Sequence, residues 1–339
     1  MATTETKILD NIIASRRTMI LGGGAFAALA LTKSANAAST VTAYTDADIL
    51  NFALNLEYLE ANFYYLAAFG TTIDVANSAS TAAGAPVLGL TGVGTQGTVT
   101  VKANPKVPFS TVQVGSYAVE TAIEEGKHVG FLRGALGSAA VAQPAIDLET
   151  SFNTLASAAS IGPAFDPFAS DANFLIGAYV FEDVGVTAYH GAAPLISTTA
   201  TGKTYLAAAA GILAVEAYHA GLIRTTINYL DPTGSLGLIG YTTKISVLRA
   251  ALALAVAPSP ASSLDPNPDD IGLGGQTVTL GGGASVAATT LIDANPANVV
   301  AFARTTTQVL NIVTGGGAAT VGTKATGVFF PAGLNGLFT

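Results

Sequence analysis

An all-α fold is what this sequence predicts: four long helices packed as a bundle, with one crossover connection and an irregular C-terminal extension. Apolar residues recur at helical spacing in four stretches, and Gly, Pro and Thr separate those stretches. Each stretch carries a glutamate on the face that should be buried. Two of the four add a histidine three residues after that glutamate.

Composition narrows the chemistry before any position is considered. The chain has 339 residues, half of them hydrophobic and only 11% charged. It has no Cys, so a disulfide, an Fe–S cluster and a Cys-based zinc site are all excluded, and any metal must be held by imidazole and carboxylate. There are three His residues, which makes each one informative. A formal charge of −8, with no basic run after the first 40 residues, argues against nucleic acid as a partner.

Residues 1–37 read as a processing segment. Arg16-Arg17 precedes the uncharged stretch Thr18–Thr32, and Ala35-Asn36-Ala37 supplies small residues for cleavage after Ala37. That stretch is shorter than the roughly 20 residues needed to span a bilayer. The Arg-Arg pair followed by Thr, Met, Ile and Leu resembles a twin-arginine signal, with Lys33 before the cleavage site in keeping. The expected destination is periplasmic or extracellular.

The mature chain then divides at about residue 232. Helix one spans 45–69, capped by Thr45 or Asp46 and stopped by Gly70. Residues 71–110, rich in Gly, Thr and Val with three prolines, form an insertion with a β-hairpin expected around 87–101. Helix two runs from Val112 to Leu136. An accessory helix is expected over 144–160, inside the crossover. Helix three runs from near Ser170 to before Pro194, and helix four from Gly202 to Tyr229, ended by Asp231-Pro232. The bundle domain is thus 42–232. In the extension, 233–339, a helix is expected at 242–256, strands around 276–289 and a second helix at 296–313.

The acids carry the functional signal. Neighbours on a helix lie at i±3, i±4 and i±7. By that rule Glu57 is surrounded by Leu50, Ala53, Leu54, Ala61 and Tyr64. Glu182 lies among Leu175, Ala178, Tyr179, Val186 and Tyr189, and Glu216 among Ile212, Leu213, Ala220 and Ile223. An unpaired buried carboxylate costs several kcal/mol, so a positive group must offset it, and few Lys or Arg lie nearby in sequence. Glu125-Gly-Lys-His128 and Glu216-Ala-Tyr-His219 repeat one spacing. Three helical residues rise about 4.5 Å and leave the two side chains about 60° apart, so each pair is expected to reach a single ion. Glu on helix one, Glu-x-x-His on helix two, Glu on helix three and Glu-x-x-His on helix four is the pattern of carboxylate bundles that hold two iron or manganese ions. The expected ligands are Glu57, Glu125, His128, Glu182, Glu216 and His219. Glu60, Tyr64 and Asp183 are expected just behind them, Glu60 as an alternative ligand and Asp183 either fixing a His ring or pairing with Lys or Arg. Glu124 competes with Glu125, which is preferred because its spacing matches helix four. Tyr179, Tyr189 and Tyr218 flank the acids and are read as packing or hydrogen-bonding groups. His190 is read as a helix-end residue.

These segments carry a family resemblance. Asn55-Leu56-Glu57 with Tyr64 is similar to the first bundle helix of ferritins and bacterioferritins. Residues 50–61, 173–189, 209–221, 306–313 and 329–336 resemble the ferritin-like family of exported bacterial proteins and plant desiccation-related proteins. The resemblance implies a ferritin-like bundle and supports the metal ligands more than any particular reaction.

Mixed carboxylate and imidazole donors suit Fe or Mn, and the expected chemistry is redox: Fe(II) oxidation by O2 or peroxide, or peroxide disproportionation. The rival reading is a stress-related structural or binding protein with no catalytic metal. A storage cage is disfavoured because the insertion and extension would crowd its interfaces, while a smaller homo-oligomer stays open. Segments 174–196 and 205–223 approach membrane-spanning length, but acids and His at their centres argue against lipid.

Overall fold

In the computed structural model the described residues are 44–75, 89–256, 270–274, 276–279, 281–283, 285–288, 291–317 and 324–338. The signal-like segment, part of the insertion and most of the Pro- and Asp-rich stretch at 258–270 lie outside them.

Helix α1 (Asp46–Phe69) begins at a capping box: Thr45 Oγ1 accepts from the Asp48 N–H at 3.2 Å, and the Asp48 carboxylate accepts from the Thr45 N–H at 2.9 Å. It stops where Gly70 turns left-handed, at φ 77°. Nearly every residue of α1 from Ile49 to Ala68 is buried, as expected of a helix that is apolar on all sides. One face packs along α2 (Val112–Leu136). Another carries Asn51, Asn55 and Asn62, whose amides satisfy loop backbone laid over the helix. Asn51 Nδ2 donates to Ala139 O at 2.9 Å, and Asn55 exchanges two hydrogen bonds with the Asn335 backbone. The C-terminal tail therefore covers the first bundle helix.

The crossover contains a short helix, α3 (Thr150–Ala158). The expected third bundle helix is two pieces, α4 (Asp171–Tyr179) and α5 (Glu182–Ala192), separated by Val180 and Phe181. The break is held from outside: the Arg249 guanidinium donates to the Tyr179 carbonyl at 2.7 Å. Helix α6 (Ala200–Leu230) packs along both pieces and completes the bundle. Among the described residues it is the one helix long and apolar enough to cross a membrane, yet it buries Glu216, His219 and Arg224 against its neighbours.

Beyond the bundle, α7 (Leu238–Leu254) and α8 (Thr306–Val313) pack on each other and on α4 and α5. The expected hairpin at 87–101 is not formed by its described part. There β1 (Val99–Thr100) pairs in parallel with β2 (Ile146–Asp147), and Val93 bridges Val141. The glycines that signalled a turn serve close approach instead: a Cβ on Gly92 would lie 2.2 Å from Ala140 O, and one on Gly97 would lie 2.1 Å from Ala145 N. The antiparallel strands β3 (Gln276–Thr279) and β4 (Ser285–Ala288) fall where expected. The last helix starts ten residues later than the predicted 296, because a Thr305–Gln308 capping box sets its first turn while the Asn295 side chain holds a separate turn through the Ala297 N–H.

Candidate metal centre

Four elements converge inside the bundle. Helix α1 supplies Glu57, α2 supplies Glu125 and His128, α5 begins with Glu182, and α6 supplies Glu216 and His219. All six are buried, none more than 9% exposed. His128 Nδ1 lies 3.3 Å from Glu57 Oε2, 3.5 Å from Glu125 Oε2 and 3.8 Å from Glu216 Oε1. His219 Nδ1 lies 3.1 Å from Glu125 Oε1 and 3.4 Å from Glu182 Oε2. Two groups result: Glu57, Glu125, His128 and Glu216 in one, and Glu125, Glu182 and His219 in the other. Glu125 is common to both, presenting one oxygen to each side. The imidazole centroids are 6.5 Å apart.

The remaining atoms of these side chains are tied from behind. Tyr189 donates to Glu57 Oε1, and Tyr64 donates to Glu182 Oε1, both in short hydrogen bonds. His219 Nε2 donates to Glu124 Oε2 at 2.8 Å, which holds the ring from outside and turns Nδ1 inward. The inward atoms are the ones left without hydrogen-bond partners. They are Glu57 Oε2, both oxygens of Glu125 and of Glu216, Glu182 Oε2, and Nδ1 of both histidines. Buried polar atoms are almost always paired. So many orphans facing one another is the condition that bound cations relieve, and the donor set fits Fe or Mn.

Electrostatics express the same crowding. Burial pushes the Glu57 carboxyl up to about 7, although His128 opposes the rise. Burial, followed by neighbouring carboxylates, holds Glu216 and Glu60 well above the ordinary range, and burial also raises Glu182. Glu125 goes the other way: burial disfavours its charge, but the two histidines outweigh burial and lower it. Burial likewise opposes the His128 imidazolium, but Glu57 and Glu125 carry it up to about 11.

Several expectations change in detail. Glu216 and His219 were expected to share one ion, but Glu216 groups with His128 across the bundle, and His219 with Glu125 and Glu182. Glu60 is buried beside the centre and joins neither group. Tyr64 stands behind Glu182, as expected. Asp183 takes the other role open to it, pairing with Arg224 at 2.9 Å and Arg249 at 3.0 Å. Arg249 and Arg304 both reach Asp270. Asp183, Asp270 and Asp293 thus cluster around arginines that already supply the positive charge. Tyr179 belongs to that network through Arg224, Tyr218 is 74% exposed, and His190 bonds the Phe302 carbonyl. Sequence reasoning took Glu124 only as a rival ligand, and it named no partner for the hydrogen bond of Tyr189 or for the pairing of Asp183. The available signal was Arg224, an arginine flanked at helical spacing by Ala220 and Ile227.

Residues 45–229, more than half the chain, match the ferritin-like domain family. The chain belongs to that family. This ferritin-like protein is 33% identical over 217 residues to the desiccation-related protein PCC13-62 of Craterostigma plantagineum, a match covering 61% of this chain and 62% of that one. It therefore spans less than two thirds of that relative's length. It is 25% identical over 299 residues to the ferritin-like catalase Nec2 of Nesocodon mauritianus, covering 86% of this chain and 84% of that one. No solved structure matches significantly.

Proposed function

We propose that Glu57, Glu125, His128, Glu182, Glu216 and His219 hold two Fe or Mn ions, with Glu125 between them, and that the centre disproportionates hydrogen peroxide to water and O2. The observation that carries this reading is the set of partnerless oxygens and Nδ1 atoms facing one another in a buried space. Two such ions, when bound, supply a redox couple that can exchange two electrons with peroxide. The chain's own part is positioning. Tyr189 and Tyr64 fix the outer oxygens of Glu57 and Glu182, so that the inner oxygens keep one direction. Glu124 holds the His219 ring from outside. The apolar helices around them keep bulk water out, which strengthens every charge interaction inside. The catalase activity named for one relative favours peroxide over O2 as the reactant. The relative named for desiccation favours a stress-protective setting. The Arg16-Arg17 segment supports export by the twin-arginine route, with cleavage after Ala37 and a mature bundle domain from about residue 42.

The test is elemental analysis of the purified mature protein together with O2 release from hydrogen peroxide. About two ions per chain are expected, with both metal and activity lost in His219→Ala and Glu216→Ala and kept in Glu60→Ala. A calorimetric titration without a saturable site overturns the proposal. Metal without peroxide turnover leaves the ligand set and removes the reaction.

A further inference from the structure

Covering is uneven around the bundle. The C-terminal tail lies on α1, and α7 and α8 lie on α4 and α5. The outer side of α2 and α6 stays bare, and only 28% of the most apolar stretch of α6 is buried. From Thr204 to Tyr229 no exposed residue of α6 is charged. Its outward stripe is small, with Ala207, Ala210, Ala214 and Ala217, while Tyr218 and Tyr229 stand out at 74% and 75% exposed. Phe131 adds an exposed ring from α2. A helix that is apolar on its outer side as well as its inner one is built to be covered. Gly134 on α2 and Gly211 on α6 weaken their helices relative to Ala, yet a Cβ on either would meet nothing within 4 Å.

Charge on this face has a symmetry of its own. Glu120 and Lys127 are exposed on one side of α2, two turns apart, with Ile123 and Glu124 midway between them. Helices α2 and α6 run antiparallel, since Tyr205 lies beside Ala135 and His219 beside Glu124. The midpoint of the two charges is therefore level with His219 on α6. A face that carries an acid and a base at equal distances from its centre is complementary to itself when turned over. Its size suits a dimer. The 25 residues of α2 extend about 37 Å and two adjacent helices are about 20 Å wide, so roughly 700 Å² per copy is available, against about 800 Å² in a standard interface.

We propose that two copies of the chain dock through this face, about a twofold axis that lies between them and crosses α2 between Ile123 and Glu124 and α6 near His219. Each α2 then runs antiparallel to the other α2, and each α6 to the other α6. Glu120 of each copy meets Lys127 of the other, so the charge pair occurs twice. On α6, Tyr229 of one copy covers Ala210 and Gly211 of the other, Thr225 meets Ala214, and both Tyr218 rings fall beside the axis. A groove of about 710 Å³ beside Tyr117, Thr225 and Tyr229 receives the other copy's α6. The acids at the middle of the face disfavour a lipid surface as its occupant. Glu124, which holds His219 from outside, comes to lie under the interface, so the second copy closes the outer wall of the metal centre. The proposal goes beyond the peroxide reading and does not depend on it, because association is read without any metal added.

Sedimentation equilibrium of the purified protein should show a dimer at micromolar concentrations. Ala214→Arg, which puts a bulky charge in the middle of the face, should leave a monomer. Glu120→Lys and Lys127→Glu each place like charges across the interface twice, and each should weaken dimerisation about tenfold. The two together exchange the charges and should restore the dimer. All these residues are exposed, and the melting temperature shows that each variant remains folded. A wild type that stays monomeric overturns the proposal, and a monomer that floats with phosphatidylcholine vesicles assigns the face to lipid instead. A dimer indifferent to Ala214→Arg overturns the choice of face. Single variants that weaken the dimer without rescue by the double exchange overturn the position of the axis.

Discussion

Gly185 and Glu216 occupy adjoining space that a methyl group would fill: a Cβ at position 185 would stand 2.2 Å from Glu216 Oε2 and 2.9 Å from its carboxyl carbon. The α5–α6 contact is that close because residue 185 has no side chain. Gly185→Ala should therefore push the Glu216 carboxylate off its position and lose most of the bound metal, with overpacking costing about 1–3 kcal/mol. Gly221 lies on α6 with open space where its Cβ would be. Gly221→Ala should keep the metal and gain up to about 1 kcal/mol from helix propensity. Elemental analysis and thermal unfolding of the two variants check the pair. Equal metal content would show that the tight contact does not govern Glu216.

Tyr64 holds Glu182 from behind, and burial followed by the Glu182 charge keeps its phenol protonated. Tyr64→Phe keeps the ring and removes the hydrogen bond. Partners behind a metal ligand are worth roughly 10–100-fold in affinity. One of the two ions should therefore bind at least tenfold more weakly, while the other, on the Glu57 and His128 side, should change little. A titration that resolves two sites decides it, and equal weakening of both would contradict the division into two groups.

The burial of the six acids and histidines, the Thr45 cap and the Gly70 stop were legible in the sequence because each rests on local spacing. The pairing across the bundle was not. Whether Glu216 meets His128 or His219 depends on the rotation of α6 against α2, which side-chain packing sets and periodicity does not. The break between Tyr179 and Glu182 has no Pro to announce it and is braced by Arg249, about 70 residues away. Parallel pairing of Val99 with Ile146 is equally non-local. The arginine network was hidden because Arg249, Asp270 and Arg304 belong to the extension and reach the Asp183–Arg224 pair of the bundle only when the extension docks.

That network yields its own prediction. The Arg249 guanidinium reaches both Asp183 and Asp270 and caps the broken helix through the Tyr179 carbonyl, all in buried surroundings. Arg249→Met keeps the bulk and takes one arginine away from each of two buried carboxylates, leaving Asp183 to Arg224 and Asp270 to Arg304. Removing one partner of a buried ion pair costs about 3–5 kcal/mol, which should appear as a large fall in melting temperature. Because Glu182 follows the break directly, metal affinity on its side should fall as well. A variant with unchanged melting temperature would mean that the extension contributes little to holding the bundle.

Export is testable on the precursor. Replacing both Arg16 and Arg17 with Lys keeps the charge and removes the guanidinium pair that the twin-arginine route reads. Precursor should then accumulate in the cytoplasm of an expressing bacterium, as seen by fractionation and immunoblotting. Unchanged export would assign the segment to the general secretory route, which carries unfolded chains, and the bundle would then have to acquire its metal after crossing.

The last prediction follows from the sign of the pKa shifts. Burial raises Glu57 from 4.5 to about 7 in the folded protein without metal, and Glu182 and Glu216 are raised in the same direction. A carboxyl raised on folding contributes stability that is complete below its unfolded pKa and is lost as pH climbs through the folded one. For Glu57 that window is about 4.5 to 7. His128, raised from 6.5 to about 11, acts with the same sign over a higher window, losing its contribution as pH rises above 6.5. Glu125 is lowered, and its contribution changes only below 4.5. Between pH 5 and 8 the folded state therefore holds more protons at these sites than the unfolded state, and stability falls with rising pH. Metal reverses the trend. It must displace those protons, so its affinity rises with pH, and at 100 times the dissociation constant it adds about 2.7 kcal/mol. The melting temperature of the metal-free protein should fall from pH 5 to pH 8, while the increment from added Mn(II) should grow over the same range. Glu216→Gln, which keeps the shape and removes one titrating carboxyl, should flatten both slopes. If the metal-free protein instead becomes more stable toward pH 8, the acids are paired rather than crowded, and a hydrogen-bonded polar core without ions becomes the better account of this bundle.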